Sequence, residues 1–185
     1  MASGIIRHKR RHLLHGSEEL FRALIQNSTD IITIHDAEGI TIYETPSASR
    51  ILGYPPGALI GKSPFEAIHP KDVEGTRAAF RSVLEGSRDV LPVEFRFHRA
   101  DGSWIWLEGV GANLMHHYGI EGIVLTSRDI TPRKNAEKQF NYLANHDALT
   151  GLPNRLLMED RLRQAIAQAH RNGYLAALML IDLDQ

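Results

Sequence analysis

SRDITPRKNAEKQFNYLANHDALTGLPNR, from Ser127 to Arg155, is where the organisation of this chain is decided. On its left edge, Asp129-Ile130-Thr131 closes an apolar strand and Pro132 opens a helix. Proline suits a first helical turn, where its missing N–H would have no intrahelical partner. Thr131, just before it, places a hydroxyl where it can accept an orphan amide hydrogen. On the right edge, Asp147-Ala148-Leu149-Thr150-Gly151-Leu152-Pro153-Asn154-Arg155 breaks that helix with glycine and proline and starts another. Between the edges Ala136, Phe140 and Leu143 lie four and three residues apart, the a/d spacing of a coiled-coil seam. Asp147 takes the next seam position, so the apolar run lasts about one heptad. Periodicity alone leaves two uses open: packing of the helix onto its own sheet, or a seam with a second chain.

The segments before this stretch change period several times. Arg7, Lys9, Arg10 and Arg11 form a basic cluster that reads as a solvated end, and His8, His12 and His15 share a helical face without a carboxylate or cysteine partner. Ser17 caps an expected helix with the stripe Leu20, Phe21, Leu24, Ile25. From Asp30 the period is two, with Ile32, Ile34, Ile40 and Ile42 alternating about a Glu38-Gly39 turn. Short helical pieces follow, punctuated by glycine and proline. A longer helix is expected from Pro70 to Gly86, with Val73, Phe80, Val83 and Leu84 on one face. Three strands then complete the unit: Val93 to Phe97, Trp104 to Leu114 and Gly122 to Ser127. This is an α+β order.

With 43% hydrophobic and 23% charged residues, the 185-residue chain can bury a core. A net charge of -1 gives no reason to expect a nucleic-acid partner. The absence of cysteine excludes disulfides, thiolate metal sites, c-type haem attachment and a cysteinyl–flavin adduct. It fits a reducing cytosol. No apolar run reaches the roughly 18 residues of a membrane span, so a cytoplasmic location is expected.

Residues 17–131 resemble PAS sensory domains through Asp36-Ala37-Glu38-Gly39, Ile51-Leu52-Gly53-Tyr54, His69-Pro70-Lys71-Asp72, Asp101-Gly102-Ser103-Trp104 and Trp106-Leu107-Glu108-Gly109, in this order and before Asp129-Ile130-Thr131. The resemblance implies a five-stranded antiparallel sheet with flanking helices. Asp147 to Arg155 resembles the entry motif of GGDEF domains, the family that makes cyclic di-GMP. Four segments result: 1–16, an N-terminal linker or helix; 17–131, the PAS domain; 132–147, a signalling linker helix; and 148–185, the start of a GGDEF domain. In that last segment an amphipathic helix with Leu156, Leu162, Ile166 and Ala169 precedes an apolar run, Leu175 to Leu183, expected to be a buried strand. The strand would have no neighbours in this chain, so the domain reads as truncated.

The resemblance also implies chemistry. Asp182 would help hold divalent ions, Mg²⁺ by its liking for oxygen ligands, but only once the GGDEF domain is completed; the chain itself carries no catalytic residue set. A PAS pocket between sheet and helix is expected to be lined by Ile34, Ile42, Phe80, Phe95 and Leu125, taking an apolar or planar small molecule or none. Haem is not expected, because the segment Val73 to Leu84 holds no histidine and His69 reads as a turn residue. Asp129, Thr131, Ala136, Phe140 and Leu143 form the expected signalling junction, and for the seam residues the resemblance favours a homodimer. The implied function is a sensory module controlling a diguanylate cyclase that uses GTP, with this chain alone inactive. The alternatives are a stand-alone PAS dimerisation module with a vestigial tail and a parent protein that also carries an EAL phosphodiesterase domain.

Overall fold

Alternating burial along the first strand sets the architecture. In β1 (Ile31–His35) every second residue is buried, so Ile31, Thr33 and His35 face one side and Ile32 and Ile34 the other. The computed structural model describes residues 28–87, 91–117 and 119–179. It separates into two compact units, 1–132 and 133–185.

In the first unit β1 is followed by β2 (Thr41–Glu44), α1 (Pro46–Leu52), a short 3-10 turn (Pro64–Glu66), α2 (Val73–Leu84), β3 (Val93–His98), β4 (Trp104–Leu114) and β5 (Gly122–Asp129). The sheet order is β2-β1-β5-β4-β3, with every neighbouring pair antiparallel. The first turn closes as its residues dictate. Gly39 takes a φ of 83°, and the Asp36 carboxylate accepts the Ile40 N–H at 2.7 Å.

The helices and the 3-10 turn are gathered on one face of the sheet. There Leu52, Phe65, Ile68, Phe97, Ile105 and Leu107 form the core, all 8% exposed or less. Each such side chain contributes about 1.5–3 kcal/mol by leaving water. Trp104 and Trp106 lie together on the opposite face. Trp104 meets the edges of His69 and His98 at 4.9 and 5.1 Å, and the Arg96 guanidinium lies over Trp106 at 5.1 Å.

Helix α2 starts later than Pro70. His69 to Asp72 form a turn in which Asp72 N–H donates to the His69 carbonyl at 2.8 Å and Lys71 N–H to His69 Nδ1 at 3.2 Å. The turn is held because the Asp72 carboxylate is engaged by Arg96 of β3. His69 is thus a turn residue.

The second unit contains most of α3 (Thr131–Asn145), a tight loop, and α4 (Arg155–Asn172). Asn154 caps α4, its side-chain oxygen accepting Leu157 N–H at 3.0 Å, and Gly173 ends it in the left-handed region at φ 72°. Residues 174–179 are not a strand. Leu175 is 97% and Met179 81% exposed. A strand is defined by its paired neighbour, and the described residues of this unit include none. The remainder of the expected strand, with Asp182, and the expected N-terminal helix with His8, His12 and His15 lie outside the described residues.

Candidate functional site

Between α2 and the sheet lies a cavity of ≈ 90 Å³. Phe80 of α2, Phe95 of β3 and Leu125 of β5 line it. Ile34 and Ile42 do not. Ile34 is on the opposite face of β1, and Ile42 is 45% exposed. Alternation alone favours the more apolar of the two faces, whereas β1 turns Thr33 and His35 inward. The register shift between Ile34 and His35 in the β1–β2 pair brings Thr41, not Ile42, onto the cavity.

Those inward polar residues satisfy one another. His35 Nε2 is 2.8 Å from the Thr33 hydroxyl and Nδ1 is 3.4 Å from that of Thr41. The His35 ring also stands edge-on to Phe80 at 6.1 Å. Burial pushes the imidazole pKa down to about 4, outweighing the opposing pull of Asp36 and the Gly39 backbone. His35 is therefore neutral at pH 7, one ring nitrogen donating and the other accepting.

Two glycines make the room. Gly109 and Gly111 face the cavity from β4. A Cβ at Gly111 would come within 2.8 Å of Val83 Cγ2, and one at Gly109 within 3.0 Å of the Phe95 ring. Glycines two apart in a strand signal close approach on one face, and that is the sign by which the sequence could have revealed this wall. Nothing comparable pointed to His35, Thr33 or Ser127, which read as the polar side of alternating strands.

The junction after β5 is tied by polar contacts. Asp129 Oδ1 accepts the Thr131 N–H at 2.8 Å, and the Thr131 hydroxyl accepts the Trp106 N–H at 2.9 Å. Ile130 N–H donates to the Trp106 carbonyl at 2.9 Å. The first-turn amide of α3 is thus satisfied by Asp129, and the Thr131 hydroxyl extends the β4–β5 ladder by one contact. Further along α3, Phe140 is 73% and Leu143 49% exposed, with Ala136 exposed on the same side.

The loop from Asp147 to Asn154 is closed on itself. Asp147 Oδ1 accepts Thr150 N–H at 2.9 Å, the Thr150 hydroxyl at 2.8 Å and Leu149 N–H at 3.2 Å. The Thr150 amide and hydroxyl hold the Asp147 carboxyl below the usual carboxylate range. Asn154 closes the loop onto α3, its side-chain N–H donating to the Ala144 carbonyl at 2.8 Å and its backbone N–H to that of Asn145 at 2.9 Å. Among the described residues no group of three His, Cys, Asp or Glu could hold a metal, and no helix is long and apolar enough to cross a membrane.

Known proteins match this arrangement. A family model described as PAS fold covers residues 19–130, and one described as diguanylate cyclase, GGDEF domain, covers 144–185. The uncharacterized protein y4lL of Sinorhizobium fredii is 31% identical over 96% of this chain, which spans 22% of that relative's length. The blue light receptor lreA of Aspergillus flavus is 32% identical over 71% of this chain, which spans 14% of its length. Among solved structures, the PAS domain of an HTR-like protein from Haloarcula marismortui is 26% identical with a TM-score of 0.52, covering 66% of this chain and 99% of that one. A PAS domain from Colwellia psychrerythraea, at 23% identity and TM-score 0.54 over 62% of this chain and 98% of that one, shares the fold. The chain belongs to the PAS family, its PAS domain being followed by the opening part of a GGDEF domain.

Proposed function

We propose that this chain is the sensory input, and the first elements of the output, of a diguanylate cyclase. A small molecule in the cavity under α2 would alter the sheet, and α3 would carry the change to a complete GGDEF domain joining two GTP into cyclic di-GMP across a homodimer. One observation carries this reading. A single helix, Thr131–Asn145, starts where Asp129 and Thr131 are hydrogen-bonded at the end of the sheet and ends in the closed Asp147 loop. A helix anchored at both ends transmits rotation better than a flexible tether would.

Mg²⁺ and GTP belong to the complete catalytic domain, with Asp182 among the metal's ligands, and the location is the cytoplasm. The sequence contains no GGDEF motif, so the chain alone is expected to turn over no GTP. The fungal relative is named a blue light receptor; without cysteine, this chain cannot form a cysteinyl–flavin adduct. The test is incubation with GTP and Mg²⁺, for this chain and for one extended through a complete GGDEF domain. Cyclic di-GMP from the extended chain alone supports the reading. Turnover by the 185-residue chain overturns its inactivity, and an extended chain that dimerises without turnover favours a stand-alone interaction module.

A further inference from the structure

The cavity wall carries more polarity than the packing uses. Ser127 of β5 is 8% exposed and lines the cavity, yet its hydroxyl makes no hydrogen bond to any described residue. It stands opposite Ile31 in the β1–β5 pair, diagonal to Thr33 on the same face. Thr33 is only partly satisfied. A neutral imidazole donates through one nitrogen and accepts through the other, so a threonine hydroxyl bonded to it keeps either its proton or its lone pairs for another partner. The other hydroxyl near the helix, Thr76, is spent on the Asp72 carbonyl at 2.8 Å. Thr41, whose hydroxyl meets His35 Nδ1 at 3.4 Å, keeps capacity of the same kind, so the hydroxyl with its capacity wholly unused is that of Ser127, with Thr33 diagonal to it. The opposite wall is aromatic and aliphatic.

Charge and size narrow what could sit there. No Asp, Glu, Lys or Arg among the described residues lines the cavity, and an ion stripped of water without a counter-charge is strongly disfavoured. A volume of ≈ 90 Å³ is small beside the hundreds of Å³ of a typical cofactor pocket.

We propose that the cavity takes a compact, uncharged organic molecule with one hydrogen-bonding group, an alcohol, phenol or carbonyl compound. Its polar atom lies at Ser127 and Thr33, and its apolar body against Phe80, Phe95 and Leu107. The inference rests on the reading of the PAS unit as the input.

Phenol, toluene and benzoate share a ring and differ in the group offered to Ser127. Titrated into the 185-residue chain at neutral pH, phenol should shift the methyl NMR signals of Leu107 and Leu125 saturably. Toluene should shift the same signals about tenfold more weakly, the usual effect of one lost hydrogen bond in a buried site, and benzoate should not shift them. Ser127→Ala should bring phenol down to the level of toluene and leave toluene unchanged. Benzoate binding as well as phenol, phenol indifferent to both Ser127→Ala and Thr33→Val, or no probe binding at all would each overturn the proposal. Failure of the input reading shows separately: phenol would bind as described yet leave GTP turnover of the extended chain unaltered.

Discussion

Arg96 and Asp72 form a two-pronged pair, Nε to Oδ2 and Nη2 to Oδ1, both at 2.8 Å, with the Arg96 backbone N–H adding a third contact to Oδ2 at 3.0 Å. The pair fixes the start of α2, the helix that roofs the cavity, to strand β3. The Arg96 side chain holds the Asp72 carboxyl below its ordinary value of 3.8. Asp72→Asn should lower stability by about 1–2 kcal/mol at neutral pH, since one charged partner of a half-buried bidentate pair is lost. With the folded value depressed, the wild-type advantage is complete above the unfolded value and disappears as pH falls through the lower folded one. Urea denaturation of both proteins from pH 7 down to pH 3 measures this difference.

His35 makes a second pH-dependent contribution in a higher window. Its pKa falls from 6.5 to about 4 on folding, so between those values the unfolded chain binds a proton that the folded chain refuses. Stability should decline as pH drops from 6.5 towards 4, by at most about 1.4 kcal/mol per pH unit. The ring signals of His35 should titrate near 4 in the folded protein, and His35→Gln should flatten the stability profile in that window.

The order of elements was legible because it rests on local signals: the period of two in β1 and β3, the Glu38-Gly39 turn, and the glycine and proline that separate α3 from α4. Faces were less legible. In β1 Ile32 and Ile34 lie away from the cavity and Ile31, Thr33 and His35 face it, a choice that depends on hydrogen bonds between residues of β1 and β2. The late start of α2 is equally non-local, because it depends on Arg96, 24 residues beyond Asp72. Leu175 to Met179 read as a strand by composition alone, but strand geometry needs a paired neighbour.

The Asp147 loop should stiffen the passage from α3 to α4. Asp147→Ala removes the acceptor shared by Leu149 and Thr150, and amide hydrogen exchange at those two residues should become severalfold faster while the β4–β5 amides are unchanged. Thr150→Val should reproduce part of the effect, since the Thr150 hydroxyl contributes one of the contacts.

Phe140 tests the homodimer. Its ring is 73% exposed on the same side of α3 as Ala136 and Leu143, where the proposed seam with a second chain would lie. Phe140→Asp should shift sedimentation equilibrium towards monomer without altering thermal unfolding of the PAS unit, because a charge at an apolar seam is disfavoured only when the seam is buried.

In the proposed function α3 passes the state of the PAS unit to the catalytic domain through its rotational phase. Each inserted residue turns everything downstream by about 100°. Seven residues return the seam nearly to its original face. The direct measurement is GTP turnover, with and without the cavity ligand, by a chain extended through a complete GGDEF domain and carrying one or seven extra residues after Lys134. The single insertion should abolish regulation and the seven-residue insertion should largely restore it. Equal regulated activity from both would contradict this role of α3.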